Sequence, residues 1–252
     1  MEVQWPDRHR HTDTIKTGDG VRLSYNQTGP RNGQQLLFVT GWRQAAVEWR
    51  KQVKYFSSVG FRVTTFDMRG HGESDEPDFG YRYPDARKRV AKLVLVDQTA
   101  DIIRDPSWTD AQAALISAIF TPNAVYDLYA DILAGQLEPL VRGMFTSSVS
   151  ESDFEWFLSQ NKKMSDVNAA ALLLDHSFKD WRDVLPRISV PTLVLAGEVS
   201  VFPHAGIEWI ATQVPGARNY TFTAAEKGSH FVFWENPERF NSVLLDFLKA
   251  RR

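Results

Sequence analysis

Four short, nearly continuous apolar runs most constrain what this chain can become: "QLLFVTG" at 35–41, "FRVTTFD" at 61–67, "KLVLVDQ" at 92–98 and "PTLVLAGE" at 191–198. Each is rich in Val, Leu or Phe and bounded by Gly, Asp or Pro. Runs of this length without polar alternation suit parallel strands covered on both faces, because such strands have no solvent side. Parallel neighbours need crossovers. Between the first two runs lies "AAVEWRKQVKYFSSVG", with Val47, Trp49, Val53 and Phe56 at near-helical spacing and Gly60 as a stop. The carboxy-terminal part repeats the pattern, with a strand over 217–225 and a helix over 237–250 whose Phe240, Val243, Leu244, Phe247 and Leu248 share one face. This alternation predicts an α/β fold, a mostly parallel sheet with flanking helices. Ahead of it, "TIKTGDGVRLSYNQTG" predicts an antiparallel hairpin, since Asp19-Gly20 supplies the positive φ of a tight turn.

The stretch 106–186 breaks that rhythm with several helical segments and no convincing strand, for example "WTDAQAALISAIF" and "SDVNAAALLLDHSFKDW". Thr109 and Ser150 or Ser152 suit amino-terminal caps. The organisation expected is therefore a core in two parts, 1–105 and 187–252, with a helical lid over 106–186 lying across one end of the sheet.

Composition narrows the function classes. Lys and Arg total 29 against 31 Asp and Glu, for a net charge of -2 with no single-sign tail, which argues against nucleic acid and anionic membrane as partners. Cysteine is absent, which removes disulfides, thiolate catalysis and cysteine metal sites. No run approaches the roughly 18 apolar residues of a membrane span, and the expectation is a soluble cytoplasmic protein. No His, Asp and Glu cluster has metal spacing. The glycines of "TGDG" and "QTGPRNG" do not lead from a parallel strand into a helix, so they read as turns rather than phosphate cradles. Neither metal nor cofactor is expected. His71 and His204 read as loop residues and His176 as a lid or core residue, while Trp156, Trp181, Trp209 and Trp234 read as packing.

Five ordered motifs carry a resemblance. "LLFVTGW", "FRVTTFDMRGHGESDEPD", "VAKLVLVDQ", "PTLVLAGE" and "GSHFVFWENPERFNSVLLDFL" resemble, in the right order, the segments of the α/β-hydrolase superfamily, in its group of esterases, lactonases and cofactor-free haloperoxidases. The resemblance covers nearly the whole chain. It implies a nucleophile on a strained strand-to-helix turn, a histidine base, an orienting acid, and two backbone N–H groups aimed at the oxyanion. His230 matches the family's catalytic histidine. Gly41 and Trp42 match its oxyanion loop, with the Trp42 N–H as one donor and Thr40 where a histidine usually stands. Where the family commonly has its acid, three residues after Gly197, this chain has Ser200. Glu198 is near, and Asp97 closes another strand where some members carry the acid. Asp97 is the acid favoured, against a structural role capping the next segment.

No nucleophile is found. No serine, aspartate or threonine sits in a Gly-x-Nu-x-Gly context, and Ser74 in "GHGES" matches a structural loop serine. By the family pattern a helix, the central strand and its elbow should stand between Tyr83 and Pro84, roughly 35 residues, the size of a βα unit with its preceding helix. The residues agree without the family: "MRGHGESDEPDFGYRYPDARKRVAK" is long enough for a crossover but has no amphipathic face to cover a sheet. Two functions follow from the resemblance. One is a hydrolase of small apolar esters, lactones or thioesters, a chemistry some relatives use in natural-product pathways. The other is a non-catalytic pseudoenzyme, an accessory or binding protein, or a shortened gene product.

Overall fold

A computed structural model describes residues 11–77 and 90–250. The Tyr83 and Pro84 junction lies outside them. The described strands fall in two sheets rather than one. The first has the order β1-β2-β4-β3, from β1 (His11–Lys16), β2 (Arg22–Thr28), β3 (Gln34–Phe38) and β4 (Phe61–Phe66). The second is all parallel in the order β5-β6-β7, from β5 (Leu93–Val96), β6 (Thr192–Gly197) and β7 (Arg218–Phe222). The single mostly parallel sheet expected from the apolar runs is therefore not what the described strands form. Among the described residues β3 and β5 each pair on one side only.

Two compact units divide the chain: residues 1–81 with 151–169, and residues 82–150 with 170–252. In the first, β1 and β2 form the expected hairpin, pairing His11 with Gln27 through Lys16 with Arg22. Gly20 turns the chain at φ 89°, a conformation that suits a residue without Cβ. The helix expected between β3 and β4 starts as a single 3-10 turn, Ala46–Trp49, and continues as α1 (Arg50–Ser58). Its buried face meets the sheet through aromatic contacts: Phe38 lies 4.9 Å from Trp49, and Phe56 lies 5.6 Å from Phe61. Each such ring removed from water contributes about 2–3 kcal/mol. The other face of β3 has no such cover. Leu37 is 56% exposed and Val39 beyond the strand 49%, although the strand's apolar run predicts burial on both sides.

In the second unit, every residue of β6 is buried. Val194 and Ala196 pack with Ile207 and Ile210 of α7 (His204–Gln213) and with Leu185. β7 precedes α8 (Val232–Glu235) and α9 (Pro237–Lys249), whose Phe240, Leu244 and Phe247 are buried as the spacing predicts. Between β5 and β6 the chain is helical: α2 (Asp110–Ala114), α3 (Pro122–Leu133), α4 (Glu138–Gly143), α5 (Glu151–Asn161) and α6 (Asp166–Ser177). Thr109 caps α2 as expected, its hydroxyl accepting from Gln112 N–H at 3.3 Å. His204, expected in a loop, is instead the first residue of α7, its Nδ1 3.2 Å from Glu208 one turn on.

Candidate active site

The second unit builds an acid–base pair at its strand ends. Asp97 follows β5 directly in a left-handed backbone conformation, φ 49°, which aspartate tolerates better than most residues. Its N–H donates to Leu195 O at 2.7 Å, continuing the pairing with β6. The carboxylate is buried: its Oδ1 accepts from Gly197 N–H at 3.1 Å, and its Oδ2 accepts the hydroxyl of Ser200. His230 Nδ1 lies 2.7 Å from the same Oδ2, across 133 positions of sequence. A carboxylate only accepts, so Nδ1 is the donor and in the neutral ring the lone pair is on Nε2. That nitrogen has no hydrogen-bond partner among the described residues. The ring, 22% exposed, has Phe202 and Phe231 around it at 5.7 and 5.0 Å between centroids.

The loop that presents His230 is held on both sides. Val199 N–H donates to Gly228 O at 2.9 Å. A side chain at Gly197 would meet that carbonyl oxygen at 2.3 Å, so the end of β6 requires glycine for this approach. On the far side, Ser229 donates to Glu235 Oε2 at 2.5 Å, and Glu235 also receives Thr146 N–H at 2.9 Å. Of the two carboxylates near the expected acid position, only Asp97 meets the histidine. Glu198 accepts Ala224 N–H at 2.6 Å instead.

Gly41 and Trp42 belong to the other unit and end β3's run. Gly41 N–H donates to Gln44 Oε1 at 2.7 Å, whereas the Trp42 N–H has no partner among the described residues. The Trp42 indole is fixed separately, donating to Ala169 O at 2.8 Å. The next residue, Arg43, is buried at φ 61° and locks the turn. Its N–H donates to His71 Nε2 at 3.1 Å, its Nε to Asn161 O at 2.8 Å, and it pairs with Asp166 at 2.6 Å. His71 Nδ1 donates in turn to Arg69 O at 2.8 Å, and burial pushes this histidine below its usual range. Ser74 is a stitch between strands: it accepts Ser24 N–H at 2.8 Å and donates to Asp67 O at 2.6 Å.

Sequence reasoning missed three of these parts: the support of Asp97 by Ser200, the anchoring by Glu235, and the Arg43 and His71 lock. Only Ser200 carried a signal, a hydroxyl standing where a carboxylate was expected.

A family model described as alpha/beta hydrolase fold matches residues 35–113. The solved esterase from Exiguobacterium antarcticum superimposes with a TM-score of 0.84 at 21% identity, covering 95% of this chain and 100% of that one. The chain has the α/β-hydrolase fold. Among the curated proteins it is similar to, a non-heme chloroperoxidase from Streptomyces lividans is 27% identical, over 94% of this chain and 99% of the relative. A bifunctional esterase/perhydrolase from Acinetobacter calcoaceticus is also 27% identical, over 73% of this chain and 80% of the relative. The chloroperoxidase alignment runs over 282 positions, longer than the 252-residue chain, so that relative carries residues with no counterpart in this chain.

Proposed function

We propose that this protein is a hydrolase of small apolar esters, lactones or thioesters in which Asp97 and His230 form the acid–base pair. One observation carries the reading: His230 Nδ1 at 2.7 Å from a buried carboxylate, which leaves Nε2 as a base. Aspartate orients the ring and stabilises the imidazolium formed when Nε2 takes a proton, which is the role the pair has in acyl-transfer enzymes. Phe202 and Phe231 beside the ring favour an apolar acyl group. A panel of short-chain esters, lactones and thioesters, run with the full chain and with His230→Ala, tests it. Turnover that depends on His230 is expected. Equal rates in both proteins, or none in either, would overturn it.

A second reading rests on a different observation: β3 and β5 each leave an edge open among the described residues, and the chloroperoxidase relative carries extra residues. On this reading the chain is a shortened product of a longer hydrolase, lacking the strand and elbow between Tyr83 and Pro84. Sequencing the transcript across that junction decides it. A continuous message coding Tyr83 directly before Pro84, with a cooperative melt of the purified protein, would exclude it.

A further inference from the structure

Among the described residues of the second unit the base has no serine partner, and the serine hydroxyls nearest to it in the chain or at the strand ends are engaged elsewhere. Ser200 donates to Asp97, Ser229 to Glu235 Oε2 at 2.5 Å, and Ser117 to Pro203 O at 2.5 Å. None donates to His230. In the first unit Ser74 spends its proton on Asp67 O. Nowhere in the chain does a serine, threonine or aspartate stand between glycines as an elbow requires. What remains at His230 is an oriented imidazole whose Nε2 has no partner among the described residues, partly open to solvent and bordered by two aromatic rings.

We propose that His230 activates water directly, so that hydrolysis is a single displacement without an acyl-enzyme. This rests on the reading of the protein as an acyl hydrolase and names its nucleophile. In the step, Nε2 removes a proton from water as the water oxygen bonds to the substrate carbonyl carbon, and the carbonyl π electrons move to oxygen. When the tetrahedral adduct collapses, the carbon–oxygen bond to the leaving group breaks and the imidazolium returns the proton to it. Ester and water become acid and alcohol, and the imidazole is regenerated. Asp97 does not exchange protons in this cycle. It keeps Nδ1 as the donor, so that Nε2 is the basic nitrogen throughout. General-base assistance of this kind contributes about 10²–10⁴-fold, so the activity belongs to activated carbonyls such as aryl esters and strained lactones rather than amides.

The experiment uses the full chain with 4-nitrophenyl acetate and a fluorophosphonate probe. Expected are steady-state release of 4-nitrophenol with no initial burst, a lower rate in D2O, no fluorophosphonate adduct by intact mass, and loss of about 10²-fold or more in His230→Gln. Asp97→Asn keeps a residue that accepts the left-handed backbone and should lose most of the rate through the wrong ring tautomer, with an unchanged melt as the control. A burst with an acetyl or phosphonyl adduct mapped to a serine would overturn direct water attack while leaving the acyl-hydrolase reading intact. An acetyl adduct on His230 would do the same by showing a nucleophilic imidazole. Absence of turnover, or turnover indifferent to His230→Gln, would overturn both.

Discussion

Ser200 donates its hydroxyl proton to Asp97 Oδ2, the same oxygen that receives His230 Nδ1. The residue standing where the resemblance implies a catalytic acid instead hydrogen-bonds a carboxylate supplied from another strand end. A buried carboxylate is costly unless its oxygens are hydrogen-bonded, and Gly197 N–H and Ser200 provide two donors besides the histidine.

Removing that support should be measurable. Ser200→Ala takes away a hydrogen bond to a buried charge and is expected to destabilise the fold by about 1.5–3 kcal/mol. Urea unfolding of both proteins checks this. Superimposable curves would show that Asp97 is adequately held by Gly197 and His230 alone.

Gly197→Ala addresses the loop rather than the carboxylate. The added methyl would lie 2.3 Å from Gly228 O, a backbone atom with little freedom to retreat. Overpacking of this kind costs about 1–3 kcal/mol, and the displaced loop should reduce His230-dependent hydrolysis more than the lost stability accounts for. Rates normalised to the folded fraction test the claim.

Glu48 makes stability depend on pH. Burial, with the nearby Asp67 charge, raises its carboxyl well above the ordinary 4.5. One oxygen accepts Ala45 N–H and Asn161 Nδ2, both at 3.1 Å, while Oε2 is buried with no hydrogen-bond partner. The folded state therefore keeps a proton that the unfolded chain releases, and stability from this group is full below about 4.5 and lost as pH rises toward the folded value. His71 acts in the opposite sense. Burial lowers its folded value below 6.5, so its contribution is lost as pH falls through that range. Glu48→Gln, a neutral isostere, should flatten the alkaline arm and stabilise the protein at pH 8 by about 1–3 kcal/mol, the cost of a mispaired buried polar group. Thermal melts from pH 5 to 8 read it, and an unchanged alkaline arm would refute the assignment.

Leu37 tests the open edge of β3. A flat apolar edge strand is a template for association with other chains. Leu37→Lys should change unfolding free energy by no more than about 0.5 kcal/mol, as at other exposed positions, and should suppress concentration-dependent light scattering on warming. Equal scattering from both proteins would mean that this edge is already covered.

Strand and helix identities were legible in the sequence because they depend on local periodicity. β6, α1 and α9 lie where the apolar spacing placed them. The candidate base His230 was readable from its motif. Its acid was readable only as a choice among Asp97, Glu198 and the position taken by Ser200.

That choice needed the tertiary structure, because a hydrogen bond spanning 133 residues is set by which strand ends lie side by side and not by any spacing along the chain. The register of β5 with β6 brings Asp97 against Gly197 and Ser200. The approach of Gly228 to Gly197 sets the loop that carries His230. The sequence by itself determined which elements form from local periodicity. Packing between elements distant in the chain decided which carboxylate meets the histidine, since that meeting depends on burial and donor geometry that no local pattern encodes.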